Sequence, residues 1–237
     1  MDPLLSVILP TLGRPKRLEI AVTSLWRTTM DLNVECIVVS EEAASRRIAT
    51  DLGCRVIKAG GTAVEKWNLG AAEAKGEWIA LGADDLLYHK GWLETALEAN
   101  KAGYVGFNDL FLCLREFATH FMMTRAFAIE NNGGCLAIPA YHSWFLDMET
   151  AARAKRAGAY VYAEKAVVEH RHVDHGMARM DPTYEIGKKW HDVDQAIYDR
   201  RQVEGWPDDF SPVISRLSGE RTGLSLEYQA SGDSNHG

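Results

Sequence analysis

Three places in this sequence carry side chains that could hold a cation or move a proton. Asp84 and Asp85 follow a short apolar run, Glu77-Trp-Ile-Ala-Leu81, with only Gly82 and Ala83 between. Paired carboxylates suit Mg2+ or Mn2+, hard cations commonly held by a few acids together with substrate phosphates. A second cluster, His170-Arg-His172-Val-Asp174-His175, adds imidazoles, which Mn2+ accepts more readily than Mg2+ does. The third place is Asp147, in Phe145-Leu-Asp-Met-Glu149, in or near the first turn of a helix. Each has an ordinary explanation too: adjacent acids are frequent in turns, and an acid at a helix start complements the helix dipole. The order of the surrounding elements decides between the two.

Ser6-Val-Ile-Leu-Pro10 reads as a buried strand, ended by the turn Thr11–Arg14 and followed by Pro15, which suits the first position of a helix. Leu18, Ala21, Val22, Leu25 and Trp26 give that helix an apolar stripe. Val34–Val39 is a second strand that delivers Glu41 and Glu42 at its end; a helix near 43–52 and a short strand Cys54–Ile57 follow. Thr62 and Glu65 form a capping box for a third helix, with Gly76 expected to close it in the left-handed conformation. The run 77–81 is then a fourth strand leading into Asp84 and Asp85, and a fourth helix stops near Gly103. Alternating strands and helices imply an α/β fold, a Rossmann-like, mostly parallel sheet flanked by helices. In such a sheet ligands sit outside the carboxyl ends of the strands, where the two acids are delivered. No G-x-G-x-x-G follows the first strand and no Walker loop occurs.

Beyond Tyr104 the pattern gives short strands at Tyr104–Phe107, Phe111–Leu114 and Phe121–Met123, then a turn at Asn131–Gly134. Trp144 to Ala157 reads as a helix, stopped by Gly158, with Glu149 and Arg153 as an exposed i,i+4 pair. Strands at Tyr160–Tyr162 and Ala166–Glu169 precede the histidine cluster. Asp181-Pro182 opens one amphipathic C-terminal helix over 181–205, with Ile186, Trp190, Val193 and Ile197 on one face. The expected organisation is a single catalytic domain over 1–216. Within it, 181–205 is the C-terminal helix, and 217–237 is a polar, flexible tail.

The net charge of −7, from 26 basic and 33 acidic residues without long runs of either, argues against a broad nucleic-acid-binding surface or an anionic-membrane surface. An anionic donor would need local cations. No apolar run reaches the ~18–20 residues needed to span a bilayer, and no signal peptide is read at the start. The four scattered cysteines, Cys36, Cys54, Cys113 and Cys135, read as free thiols of a cytoplasmic protein.

The order of these pieces resembles the family 2 glycosyltransferases, enzymes of the GT-A fold that take a sugar from a nucleotide-sugar and invert its anomeric centre. The resemblance is carried by SVILPTLGRPK at 6–16, the strand ECIVVSEE, EKWNLGAAEAKGEWIALGADD with Gly91-Trp92, Phe145–Glu149 ahead of a helix ending at Gly158, and VVEHRH at 167–172. It implies that Pro10, Thr11 and Arg14 hold the nucleotide of a UDP-sugar donor, and that Glu41 accepts from its base. Asp84 would face the donor, and Asp85 would reach a Mn2+ or Mg2+ ion. His170 or His172 would be a further metal contact, and Asp147 the general base for an unidentified acceptor hydroxyl; 1–107 would be the nucleotide-binding half and 108–180 the acceptor and metal half of one GT-A-like catalytic domain. Two departures stand out: Gly82 occupies the place of the first acid of the family's Asp-x-Asp-Asp pattern, and the second strand ends in Ser-Glu-Glu-Ala rather than two Asp followed by Gly-Ser.

The chemistry also stands on the residues themselves. A departing diphosphate needs positive charge beside it, and an attacking hydroxyl needs a carboxylate that is not tied to the metal. Lys66 and Asn68, two apart on one helix, cannot both face one ligand, and Lys66 is assigned to pyrophosphate or nucleotide. Trp67 and Trp92 read as core or pocket walls. Two rival readings remain. His170-x-His172-x-Asp174-His175 matches the zinc motif of metallo-β-lactamase-like hydrolases, though few further ligands follow it. A non-catalytic nucleotide-sugar-binding module is the other, and it would not need the third acid, Asp147.

Overall fold

The computed structural model describes residues 2–111 and 116–210. Strands β1 (Leu5–Pro10), β2 (Val34–Val39), β3 (Arg55–Ile57) and β4 (Trp78–Leu81) alternate with helices α1 (Pro15–Thr28), α2 (Ala43–Asp51) and α3 (Ala63–Glu73). Then follow β5 (Leu86–Tyr88), α4 (Trp92–Ala99), β6 (Tyr104–Asn108), β7 (Phe121–Thr124), α5 (Arg125–Asn131), α6 (Leu146–Arg156) and β8 (Tyr162–His170). A 3-10 turn (Val173–His175) leads to α7 (Pro182–Lys188) and α8 (His191–Val203).

All eight strands form one sheet in the order β3-β2-β1-β4-β7-β6-β8-β5. The expected parallel pairing holds for β3-β2-β1-β4, each joined by a helical crossover. The other half is mixed: β7 runs antiparallel to β4 and β6, and β5 antiparallel to β8. No helix separates β6 from β7 in the described chain, so nothing carries it back to start a parallel neighbour.

The period of two along the strands sorts the core into layers. Leu5, Val7 and Leu9 of β1 face α1, α2 and α4, packing with Leu18, Val22, Leu25 and Trp92. Ile8 faces the other way, with Ile37, Val39, Ile79 and Leu81, onto Val64 and Trp67 of α3 and Leu146 of α6. At roughly 1.5–3 kcal/mol for each large apolar side chain fully removed from water, these layers fix where the strand ends lie. Trp67 and Trp92 are core residues, as expected. Cys36 and Cys54 are buried free thiols and Cys135 is a partly exposed one, while Cys113 and the end of the expected strand Phe111–Leu114 lie outside the described residues. So does the expected tail, 217–237.

Four local expectations are corrected. The strands expected at Tyr160–Tyr162 and Ala166–Glu169 are one strand, β8. The single helix over 181–205 is two helices, broken around Lys189-Trp190. Its expected apolar face is buried only in part: Ile197 packs against the core and Trp190 stacks on His142, but Ile186 is 43% and Val193 45% exposed, whereas Asp194 and Arg201 are buried. Glycine 76 does not close α3 in the left-handed region; α3 ends with Ala74 in extended conformation. Gly76 is needed for a different reason, since a Cβ there would stand 2.6 Å from the backbone nitrogen of Ser6. Its own N–H donates to Ser6 Oγ at 2.8 Å, clamping the start of β4 to β1.

Among the described residues no helix is long and apolar enough to cross a membrane. Because the atoms facing Gly76 are backbone, they cannot yield cheaply. Gly76→Ala is expected to lower unfolding free energy by about 1–3 kcal/mol, read as a lower urea midpoint at unchanged slope.

Candidate active site

At the carboxyl ends of β1 and β4 the turn 11–14 meets the two acids. Thr11 Oγ1 donates to Asp84 Oδ2 at 2.6 Å, and Arg14 donates through one NH to Asp84 Oδ1 at 3.2 Å. The same nitrogen lies 3.7 Å from Asp85 Oδ2. The other edge of the guanidinium is bound twice by Asp181, at 3.0 and 2.8 Å. Tyr184 stacks beneath Arg14, 3.6 Å from guanidinium carbon to ring centroid, and donates its hydroxyl to Asp85 Oδ2 at 2.9 Å. Asp181 reaches Arg14 because it caps α7, accepting from the N–H groups of Thr183 and Tyr184.

These groups are buried, and their ionisation is set by one another. Burial and the neighbouring charge of Asp85 push Asp84 up to about 6, against the pull of Arg14 and the Thr11 hydroxyl. Burial opposes the charge on Asp85 as well, but His170, His120 and Arg14 outweigh it and hold its carboxyl far below the usual range. The pair therefore has one firmly ionised member and one that can take a proton.

Antiparallel pairing of β5 with β8 sets Leu86 opposite His170, bringing the histidine strand beside Asp85. His170 Nε2 is 3.4 Å from Asp85 Oδ1. Ligand atoms of Asp85, His170 and His172 all lie within 4.8 Å of one another. A second trio, Asp109, His170 and His175, meets the same limit but shares the His170 ring, so it is continuous with the first. Burial, then the charge of His170, pushes His172 down to about 4, which leaves it neutral at pH 7, the form that binds metals. One carboxylate and two imidazoles fit Mn2+ well, and they fit Mg2+ less well. The acids are not sealed: a cleft of about 260 Å³ opens over Asp84 and Asp85, with Arg17, Arg171 and Met177 among its walls.

The third acid sits on α6. Phe145 precedes the helix with φ 63°, and Asp147 lies in its first turn, accepting from the N–H of Met148 at 3.0 Å. Burial pushes its carboxyl up to about 6, against backbone donors and the charge of His170. A carboxylate near 6 is a usable proton acceptor at neutral pH.

Residues 6–111 match the family model described as glycosyl transferase family 2. This matched segment, a little under half of the chain, carries the pattern of family 2 glycosyltransferases. That makes the chain a glycosyl-transferring enzyme in class. Among solved structures, it is similar to glucosyl-3-phosphoglycerate synthase from Mycobacterium tuberculosis, solved with Mn2+, UDP and glucosyl-3-phosphoglycerate. The TM-score is 0.58 at 18% identity, over 87% of this chain and 82% of that one. The same enzyme with Mg2+ and UDP gives 0.57 at 16% identity, over 87% and 81%. S. aureus TarS gives 0.56 at 14% identity, over 72% of this chain and 60% of that one. These likenesses establish the GT-A fold. No curated protein sequence matches the chain.

Within the transferase fold, Thr11, Arg14, Asp84, Asp85, His170 and His172 converge at one place. Lys66 is no solvated surface lysine: it is 3% exposed. Burial lowers its pKa, while the charges of Glu41, Glu42, Asp84 and Glu65 pull it the other way. Asn68 faces elsewhere, exchanging hydrogen bonds with the backbone of Ala137. Pro10 ends β1 half-buried, and Glu41 is exposed. Glu149 is a correction. Its pairing with Arg153 is real but wholly buried, and Arg201 and Tyr141 bind the same carboxylate. Gly82 also finds its reason, because a Cβ there would stand 2.9 Å from the carbonyl oxygen of Ile8.

The hydrolase motif keeps its three histidine rings within 5.8 Å of one another, but no possible ligand group among the described residues includes its Asp174. Asp174 is half-exposed and pairs with Lys188, while His175 turns to the backbone oxygen of His170. Sequence reasoning missed Tyr184, Asp181, Arg17, Arg171, His120 and Asp109 as parts of the site. Only Asp181 had a visible signal, as a helix cap before proline.

For Asp147 the folded value lies above the ordinary carboxylate value, so the fold disfavours the charged form, and this group's contribution worsens as pH rises through about 6. Asp147→Asn removes that ionisation. Without ligands, its melting temperature is expected to exceed wild type by a few degrees at pH 8, with the gap closing toward pH 4.

Proposed function

We propose that this chain is an inverting, divalent-metal-dependent glycosyltransferase that moves a sugar from a UDP-sugar to an acceptor hydroxyl. The carrying observation is the convergence of Asp85, His170 and His172 at the end of β4, beside Arg14 and the turn after β1. Asp85 with His170 and His172 would hold Mn2+, or Mg2+, whose chemistry there is to neutralise charge on the donor diphosphate. The choice of UDP is supported by the Mn2+ and Mg2+ complexes with UDP of the structurally similar mycobacterial enzyme.

The chain's own residues supply the rest. Pro10, Thr11 and Arg14 border the nucleotide, Glu41 meets its base, and Lys66, Arg17 and Arg171 offset donor charge that a net −7 protein would otherwise repel. Asp84 positions the donor and keeps Arg14 in place. Asp147 takes the proton of the acceptor hydroxyl as its oxygen bonds to the anomeric carbon. The bond to the diphosphate oxygen breaks on the opposite face, and the leaving oxygen keeps the electron pair. Attack opposite the leaving group inverts the centre. Residues 1–107 are assigned as the nucleotide half and 108–180 as the acceptor and metal half of one catalytic domain, acting in the cytoplasm.

Asp147→Asn is expected to lower kcat by at least 10³-fold, while calorimetry finds UDP affinity within a few-fold of wild type. Most of the turnover surviving would remove Asp147 as base. In Asp85→Ala, the dependence of UDP binding on Mn2+ should disappear. Wild-type UDP affinity that is equal with Mn2+ and with chelator would count against the metal site, and two equivalents of tightly bound zinc would favour the hydrolase reading instead.

A further inference from the structure

We propose that Asp194, remote in sequence from every group above, is the positioning residue for Asp147; the inference rests on the base assignment just made. Asp194 is completely buried on α8. Its carboxylate accepts from three consecutive backbone N–H groups: His142, at 3.1 Å to each oxygen, then Ser143 and Trp144, both at 2.9 Å. It also binds His142 Nδ1 at 2.7 Å. These three residues belong to no helix or strand, so the carboxylate does for them what a ladder does elsewhere. Removing it would leave three adjacent donors without an acceptor.

The segment so held runs straight into the base. Phe145 follows with φ 63°, a left-handed conformation that a bulky residue keeps only when its surroundings impose it. Helix α6 then starts with no side-chain cap, so its first turn takes its direction from the loop before it. The same loop is braced on its flanks. Trp190 stacks on His142 at 3.9 Å and 3° between planes, and Trp144 Nε1 donates to the Gly187 oxygen at 2.8 Å. The His142 oxygen accepts from Val64 of α3 at 3.2 Å. Asp194 is the charged centre of that bracing and touches none of the groups assigned to donor or metal.

A carboxylate that must meet a hydroxyl proton loses about 100-fold in rate when misplaced by roughly 1 Å. Asp194→Asn keeps the size but removes one acceptor oxygen and aims an NH2 at existing donors. Measured well below its melting temperature, kcat should fall about 30–100-fold, with the donor KM and UDP affinity within twofold. Amide hydrogen exchange at His142, Ser143 and Trp144 should accelerate. Leu25→Ala, which opens a cavity in the core layer on the other face of the sheet from α6, should lower the melting temperature without lowering kcat. If Asp194→Asn does not fold, His142→Phe, which keeps a ring for Trp190 and deletes only the side-chain bond, should still lower kcat about 3–10-fold.

Faster exchange with unchanged kcat would overturn the positioning role. So would an equal loss of kcat in Leu25→Ala, which would mark Asp194 as a general stabiliser. Turnover surviving in Asp147→Asn would overturn the base assignment by a separate route, so the two failures are distinguishable.

Discussion

The site depends on one buried guanidinium. Arg14 stands between Asp84, Asp85 and Asp181, three acids from two separated parts of the chain. Two adjacent carboxylates out of water cannot both stay ionised without a cation beside them. Arg14 supplies that charge and its planar fork supplies the geometry, bidentate to Asp181 and single-bonded to Asp84. In doing so it ties the turn after β1, the end of β4 and the start of α7 into one unit. Tyr184 completes it by stacking on the guanidinium and donating to Asp85.

A second consequence concerns the C-terminal helices. α7 reaches Arg14 through Asp181 and Asp85 through Tyr184, and α8 reaches the segment around Asp147 through Asp194 and Arg201. Their inward contacts at these points are charged. A packed apolar stripe would have fixed the helices in place with less directional information. Buried carboxylates and guanidinia instead demand particular partners, because each unmade bond is expensive in a low dielectric. The two helices therefore act as a brace that sets both sides of the cleft.

Much of the framework was legible in the sequence because it follows local rules. The strand-helix alternation over the first hundred residues, the capping box at Thr62, the proline at the start of α1 and the acids at the end of β4 all depend on neighbours within a few residues. Periodicity misled where its assumption failed. Ile186 and Val193 were read as one helical face yet stay exposed, because the helix breaks between them and the two pieces dock through polar groups, α7 through Asp181 and Tyr184 and α8 through Asp194. Glu149 and Arg153 looked like an exposed pair, because spacing cannot say whether a helix face meets water or Arg201. Gly76 looked like a helix stop, and its actual cause, the backbone of β1 only 2.6 Å from where its Cβ would be, lies seventy residues away.

By itself, then, the order of residues determined the α/β class, the parallel half of the sheet and the delivery of Asp84 and Asp85 to a strand end. Those follow from propensity and from the period of two, which are properties of short segments. Only the tertiary structure decided that β5 pairs with β8, so that Asp85 meets His170, and that Arg14 meets Asp181 across most of the chain's length. Contacts between distant segments depend on how whole layers pack, and a charged side chain gives no local sign of which distant partner will satisfy it.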